Sequence, residues 1–270
     1  MRVLLTNVWM NNLGGSELVT LELAEEFIRC GHEVLIYSPA FGGALDCSHV
    51  ETTHLKPDTK PFDVVWIHHN LLIHDLGFRK WSHQRFIFNH MSSYVNIERP
   101  RLGGHEVELA DLILANSPET AKAIYVPCNL FQNPAPLAFE SVGAGNSGPL
   151  MISNHPPPEL GDIIGKRIGN GSFERITPEL LSRHSCVVAN GKTVQYALRA
   201  GVPVYLYDHF GGCGWLTEDN FALAEWHNFS GRGFGKKSTA SISRELANVP
   251  EAMPCPDRFK LEEVLWNYLG

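Results

Sequence analysis

Short apolar runs alternate with amphipathic stretches along the chain. Arg2–Val8 (RVLLTNV) is an apolar run, as expected of a strand covered on both faces. Asn11–Gly15 (NNLGG) reads as a loop. Ser16–Cys30 then places Leu18, Leu21, Ala24 and Ile28 near helical spacing, and Gly31 is a natural stop. Glu33–Tyr37 (EVLIY) is a second strand. This β-loop-α-β order predicts parallel strands joined by a right-handed crossover. Asp63–His68, Arg85–Asn89 and Asp111–Asn116 continue the strand series. Ser117-Pro118-Glu119 opens a helix, with a capping hydroxyl, a proline at the first position and an acid in the first turn.

Asn133–Pro149 (NPAPLAFESVGAGNSGP) interrupts the alternation. It is rich in Gly, Pro, Ala and Ser, has no amphipathic face, and reads as a linker. The α/β rhythm then restarts. Leu150–Ser153, Ser185–Asn190 and Pro203–Tyr207 are strands, and Lys192–Ala200 is a helix stopped by Gly201. Thr177-Pro178-Glu179 opens another helix, and Thr217–His227 and Asp257–Leu269 read as helical. The expectation is an α/β protein of two Rossmann-like domains, 1–135 and 149–270.

Composition narrows the partners. The chain has 270 residues, 44% hydrophobic and 19% charged, with a net charge of −7. Its 22 Lys and Arg are dispersed with no basic run, so nucleic acid is not an expected partner. None of the six cysteines pairs at C-x-x-C spacing, which points to a reducing, cytoplasmic setting. No stretch reaches the length of a membrane span, although the sequence leaves peripheral contact with a membrane open.

Gly191-Lys192-Thr193 ends a strand and starts a helix. A phosphate loop of the Walker type needs a glycine five residues earlier; Cys186 stands there, inside the apolar strand, so that reading fails. The physical logic of the turn survives: Gly191 permits close backbone approach, and the free N–H groups and dipole of the helix tip favour an anion. Lys192 and Thr193 can add a charge and a hydroxyl. Alternatively, this is a plain tight turn with an exposed lysine. Gly14-Gly15-Ser16-Glu17 forms a comparable tip in the first half. It lacks G-x-G-x-x-G spacing, and no acid near the end of the second strand is placed for a nicotinamide ribose.

The opening "LGGSELVTLELAEEFIRCGHEVLIYSP" and the block "GKTVQYALRAGVPVYLYD" together resemble glycosyltransferases of the GT-B fold. With "ISNHPPPEL" and "ITPELL", the chain is similar to bacterial glycosyltransferases of surface-polysaccharide synthesis. The resemblance implies a nucleotide-sugar donor in the C-terminal domain and a glycan or lipid-linked acceptor in the N-terminal one. It implies donor phosphate between Gly14-Gly15 and the helix at Lys192, and Asn154, His155 and Gln195 lining the nucleotide site. It implies no cofactor and no metal, since helix dipoles neutralise the leaving phosphate; no Asp-x-Asp pair occurs. Two departures stand out. Gln195 and Val187 replace the Glu-x7-Glu pair of retaining members, and Ser153-Asn154-His155 replaces a basic pair, which favours a donor with one phosphate, such as a CMP-sugar.

Thirteen histidines include His68, His69, His74, His83 and His90. His90 follows a strand, where ligands of open α/β sheets bind, and is the candidate for the reacting sugar; a structural strand-end histidine is the competing reading. His68 and His69 share that position. Asp208-His209-Phe210-Gly211-Gly212 reads as a loop contacting donor hydroxyls or as a turn that needs its glycines. Two other readings stay open: a nucleotide-sugar epimerase of the same fold and a non-catalytic nucleotide-sugar-binding partner.

Overall fold

The computed structural model describes residues 1–70, 73, 76–77, 79–99, 104–161, 163–169, 171–172 and 174–269, with positions 105 and 106 described for backbone only. The chain divides into two units, Met1–Gln132 and Asn133–Gly270.

The first unit is built on a parallel sheet of β1 (Arg2–Thr6), β3 (Glu33–Tyr37), β5 (Glu51–Thr53), β6 (Val64–Ile67), β7 (Arg85–His90), β8 (Leu112–Ala115) and β9 (Asn129–Leu130). Two short strands, β2 (Trp9–Met10) and β4 (Ala40–Phe41), pair separately. The order across the main sheet is β5-β3-β1-β6-β7-β8-β9. The chain runs outward from β1 in one direction, then returns to β6 on its other side. That reversal between β1 and β6 is the switch point at which doubly wound sheets open a crevice for ligands. Leu4, Tyr37, Phe62, Val65, Ile67, Phe86 and Phe88 form one core cluster on this sheet. The Gly15–Arg29 helix packs against β1 and β3. It buries Leu18, Leu21 and Ala24 as the spacing predicts, but Phe27 takes the inward place expected of Ile28, which is 42% exposed.

The second unit carries β10 (Leu150–Ile152), β11 (Lys166–Ile168), β12 (Val187–Ala189), β13 (Val204–Asp208) and β14 (Gly211–Trp215). Their order is β11-β10-β12-β13-β14, parallel except for the antiparallel β13–β14 hairpin. Its switch point lies between β10 and β12. The Lys192–Ala200 helix has its predicted bounds, and Gly201 closes it in the left-handed region (φ 69°). Thr217 and Asn220 form a reciprocal capping box at the Glu218–Trp226 helix.

Two expectations are corrected. The stretch 133–149 is not a linker but belongs to the second unit. Phe139 stacks on Tyr196 with ring centroids 4.4 Å apart, Ser141 N–H donates to the Arg199 carbonyl, and Gly145 N–H donates to that of His184. Its low complexity misled because it pairs as irregular backbone rather than through an amphipathic face. Asp257–Leu269 is not one helix but three short turns: Asp257–Phe259, Leu261–Val264 and Leu265–Tyr268. Lys260 is drawn into extended backbone (φ −101°, ψ 114°) because Ala135 bonds across it, donating to the Phe259 carbonyl and accepting from Leu261 N–H.

Candidate functional site

In the second unit, three neighbouring parallel strands end at one edge and carry the residues singled out from the sequence. Asn154 and His155 follow β10, Gly191-Lys192-Thr193 follow β12, and Asp208-His209 end β13. His155 and His209 are exposed, and their rings meet edge to face at 6.0 Å. Gly191 caps the Lys192–Ala200 helix at φ 57°, ψ −138°, a conformation open to glycine alone, and a side chain there would meet no neighbour. The helix tip therefore presents its N–H groups with room beside them.

Three predicted side chains behave differently from expectation. Lys192 does not reach outward: it is buried, its Nζ donates to the carbonyls of Asn133 and Pro134 at 3.1 Å each, and it lies 4.7 Å from the Tyr196 ring centre. The dipole and N–H groups of the tip remain, while the ammonium serves as an anchor. Asp208 is buried as well. Its carboxylate accepts from Phe210 N–H (2.8 Å), Gly231 N–H (2.9 Å), Ser230 Oγ (3.0 Å) and Asn190 Nδ2 (3.3 Å), so it binds three turns together rather than facing a sugar. The predicted glycine-rich loop after it is the turn into β14, and only His209 and Phe210 stand exposed there. Gln195 is fully buried, and neither amide atom has a hydrogen-bond partner among the described residues. A buried amide left so is unfavourable by about 1–3 kcal/mol.

In the first unit the switch point gathers Val8, Glu17, His69, His90 and Glu98. The Gly14–Gly15 tip does not stand open. Glu17, third residue of its helix, folds back so that a Cβ on Gly14 would overlap Oε2; the carboxylate accepts from Ser16 Oγ at 3.0 Å and from its own N–H. Burial raises its pKa, partly offset by those hydrogen bonds. The chain thus supplies its own anion where phosphate was expected.

His69 Nδ1 accepts from Val8 N–H at 3.1 Å, and Nε2 lies 3.5 Å from Glu98 Oε1. His90, the candidate for the reacting sugar, is 2% exposed, and its Nδ1 donates to the Glu98 carbonyl at 2.9 Å. The cause is the Asn96–Arg99 turn, which lies over the strand ends. Asn70 holds the other carbonyls of that turn, donating through its N–H to Ile97 (2.7 Å) and through Nδ2 to Asn96 (3.0 Å) and Arg99. His68 is buried beside Asn89, and burial pushes its pKa down to about 3, with His69 adding to the shift. It is a neutral core group. His83 is far from this edge in role, its Nε2 meeting the Lys60 carbonyl at 3.0 Å, and His74 lies outside the described residues.

Glu98 and Asn70 carry no sequence signal, since their contacts span 26–29 residues or join different elements. Among the described residues, no group of His, Cys, Asp and Glu is arranged to hold a metal ion, and no helix is long and apolar enough to cross a membrane. A pocket of about 300 Å³ opens at the other end of the Lys192–Ala200 helix, beside Arg199, Cys255 and Lys260. The Arg199 guanidinium there is already held by Glu262.

No protein-family model matches the sequence, and no curated protein matches it. Solved structures do. The chain is similar to AviGT4, a glycosyltransferase involved in avilamycin A biosynthesis, with a TM-score of 0.51 and 15% identity over 93% of this chain and 89% of that one. It is also similar to MurG of Acinetobacter baumannii, with a TM-score of 0.50 and 10% identity over 91% and 90%. The likeness shows the fold: α/β, with parallel sheets, of the GT-B glycosyltransferase type.

Proposed function

We propose that the chain transfers a sugar from a nucleotide-sugar donor to a glycan or lipid-linked acceptor, in surface-polysaccharide synthesis. The observation that carries this reading is the edge of the second unit. There an open glycine-capped helix tip, two exposed histidines and the switch point of the sheet coincide. The tip takes the charge of the leaving phosphate, so the reaction calls for neither metal nor cofactor. His155 and His209 flank the nucleotide, with Asn154, Thr193 and the Gln195 amide as further partners. The first unit serves the acceptor. His90 receives the proton of the acceptor hydroxyl at Nε2, with Nδ1 held by the Glu98 carbonyl. All six cysteines are free thiols, which fits the cytoplasm.

A second reading, a nucleotide-sugar-binding partner without turnover, draws on the burial of His90 and on the carboxylate at the Gly14–Gly15 tip. A thermal-shift panel of UDP, GDP, CMP, TDP and ADP, repeated on Gly191→Ala and on His155→Ala/His209→Ala, tests the nucleotide site. One nucleotide should stabilise the wild type and lose that effect in both variants. No response to any nucleotide sinks the proposal. A response without hydrolysis or transfer of the matching sugar donor favours the binding partner.

A further inference from the structure

His155 and His209 come from strands that are not neighbours. β10 and β13 lie on either side of β12, with Ile152, Ala189 and Leu206 at one level. Each histidine is three residues past that level, and Gly191 is two past it. Strands two places apart in a sheet are separated by about 9.5 Å, yet the two ring centroids are 6.0 Å apart. The side chains therefore lean towards each other across the end of β12, where the Lys192–Ala200 helix begins. Both rings stay exposed. Gln195, fourth residue of that helix, adds a fully buried amide with no hydrogen-bond partner among the described residues.

The fixed charges around the pair have partners of their own. The Lys192 ammonium is held by the Asn133 and Pro134 carbonyls, and the Asp208 carboxylate, next to His209 in sequence, by its four donors. Phe210 packs on His209 with centroids 3.9 Å apart. Beyond it, Arg232 lies 5.8 Å from the Phe210 ring centre and donates to the His227 carbonyl. Lys236 pairs with Glu159 at 2.9 Å. The exposed groups that can add positive charge across the end of β12 are thus the two imidazoles, and an imidazole is charged only below about pH 6.5.

We propose that His155 and His209 form a proton-gated clamp for the donor phosphate, taking up protons as the anion settles beside the Gly191 tip. This deepens the transferase reading and rests on it for the identity of the anion. Two imidazolium ions this close repel, so the second proton is disfavoured in the free chain. An anion against both rings reverses that balance and draws protons in from solvent. Affinity then strengthens as pH falls through the imidazole range and weakens as pH rises above it.

Isothermal titration of the full chain with inorganic pyrophosphate, UDP, GDP, CMP, TDP and ADP, from pH 5.5 to 8.0 in buffers of different ionisation enthalpy, reads affinity and proton uptake together. Pyrophosphate and one nucleotide should bind about 10- to 100-fold tighter at pH 5.5 than at pH 8.0, with net proton uptake near pH 6.5. The ligand's own ionisation is common to all variants, so each profile is compared between proteins. His155→Gln/His209→Gln should bind weakly at every pH, and His155→Lys/His209→Lys tightly at every pH. Both positions are exposed, and circular dichroism checks that each variant is folded. A wild-type profile shared by the glutamine pair overturns the clamp, as does binding without proton uptake or a lysine pair no tighter than the glutamine pair. Nucleotide binding with any of these results leaves the transferase reading standing. Gated binding of pyrophosphate with no response to any nucleotide upholds the clamp and overturns the transferase reading; no binding of either overturns both.

Discussion

Asp208 can be tested as the knot of the second unit by comparing Asp208→Ala with Asp208→Asn. The carboxylate is 1% exposed and accepts four hydrogen bonds. Two of the donors, Ser230 Oγ and Gly231 N–H, are buried; Phe210 and Asn190 lie closer to solvent and can recover partners from water. A buried donor left without a partner costs about 1–3 kcal/mol, so Asp208→Ala should destabilise the unit by about 2–5 kcal/mol. The asparagine variant keeps one acceptor oxygen. With that oxygen turned to Ser230 and Gly231, its NH2 is set against the Phe210 N–H alone, for a loss of about 1 kcal/mol. At roughly 2–4 °C per kcal/mol, the melting temperature should fall by about 4–20 °C for alanine and about 2–4 °C for asparagine. Urea unfolding followed by circular dichroism and tryptophan fluorescence reads both. Equal losses in the two variants, or an alanine loss below about 1 kcal/mol, would refute the hydrogen-bond account.

His68 makes stability depend on pH. Its pKa is held at about 3 when folded, against 6.5 when unfolded, so between those values the unfolded chain binds a proton that the folded chain refuses. Stability should therefore fall as pH drops below about 6.5, by up to about 1.4 kcal/mol per unit, and His68→Asn should flatten that slope; parallel slopes for both proteins would refute it. Glu17 has the opposite sense. Its pKa is raised, mainly by burial, so the ionised form is disfavoured when folded, and Glu17→Gln should stabilise the chain at pH 7 but not at pH 4. Denaturation at the two pH values measures this, and a uniform effect at both would count against it.

Most of the strands were legible because buried parallel strands read as unbroken apolar runs; Glu33–Tyr37 and the Lys192–Ala200 helix match to the residue. β14 escaped because Gly-Gly-Cys-Gly-Trp has almost no strand-forming side chains, yet Gly212 lies so close to the Leu206 carbonyl that nothing larger fits. At the candidate site, local chemistry was legible and orientation was not. The strand-end positions of His155, His209 and His90 follow from periodicity. The inward turn of Lys192 depends on carbonyls 58–59 residues away, and Glu98 reaches its histidines across separate elements. Such contacts are set by topology, to which a single sequence gives no spacing rule.

The membership of 133–149 in the second unit decides where that half can be excised. A fragment starting at Leu150 would uncover the face of Tyr196, strip both oxygens from the Lys192 ammonium, and remove the Ala135 rung that orders the C-terminal tail. One cut at Asn133 retains all three.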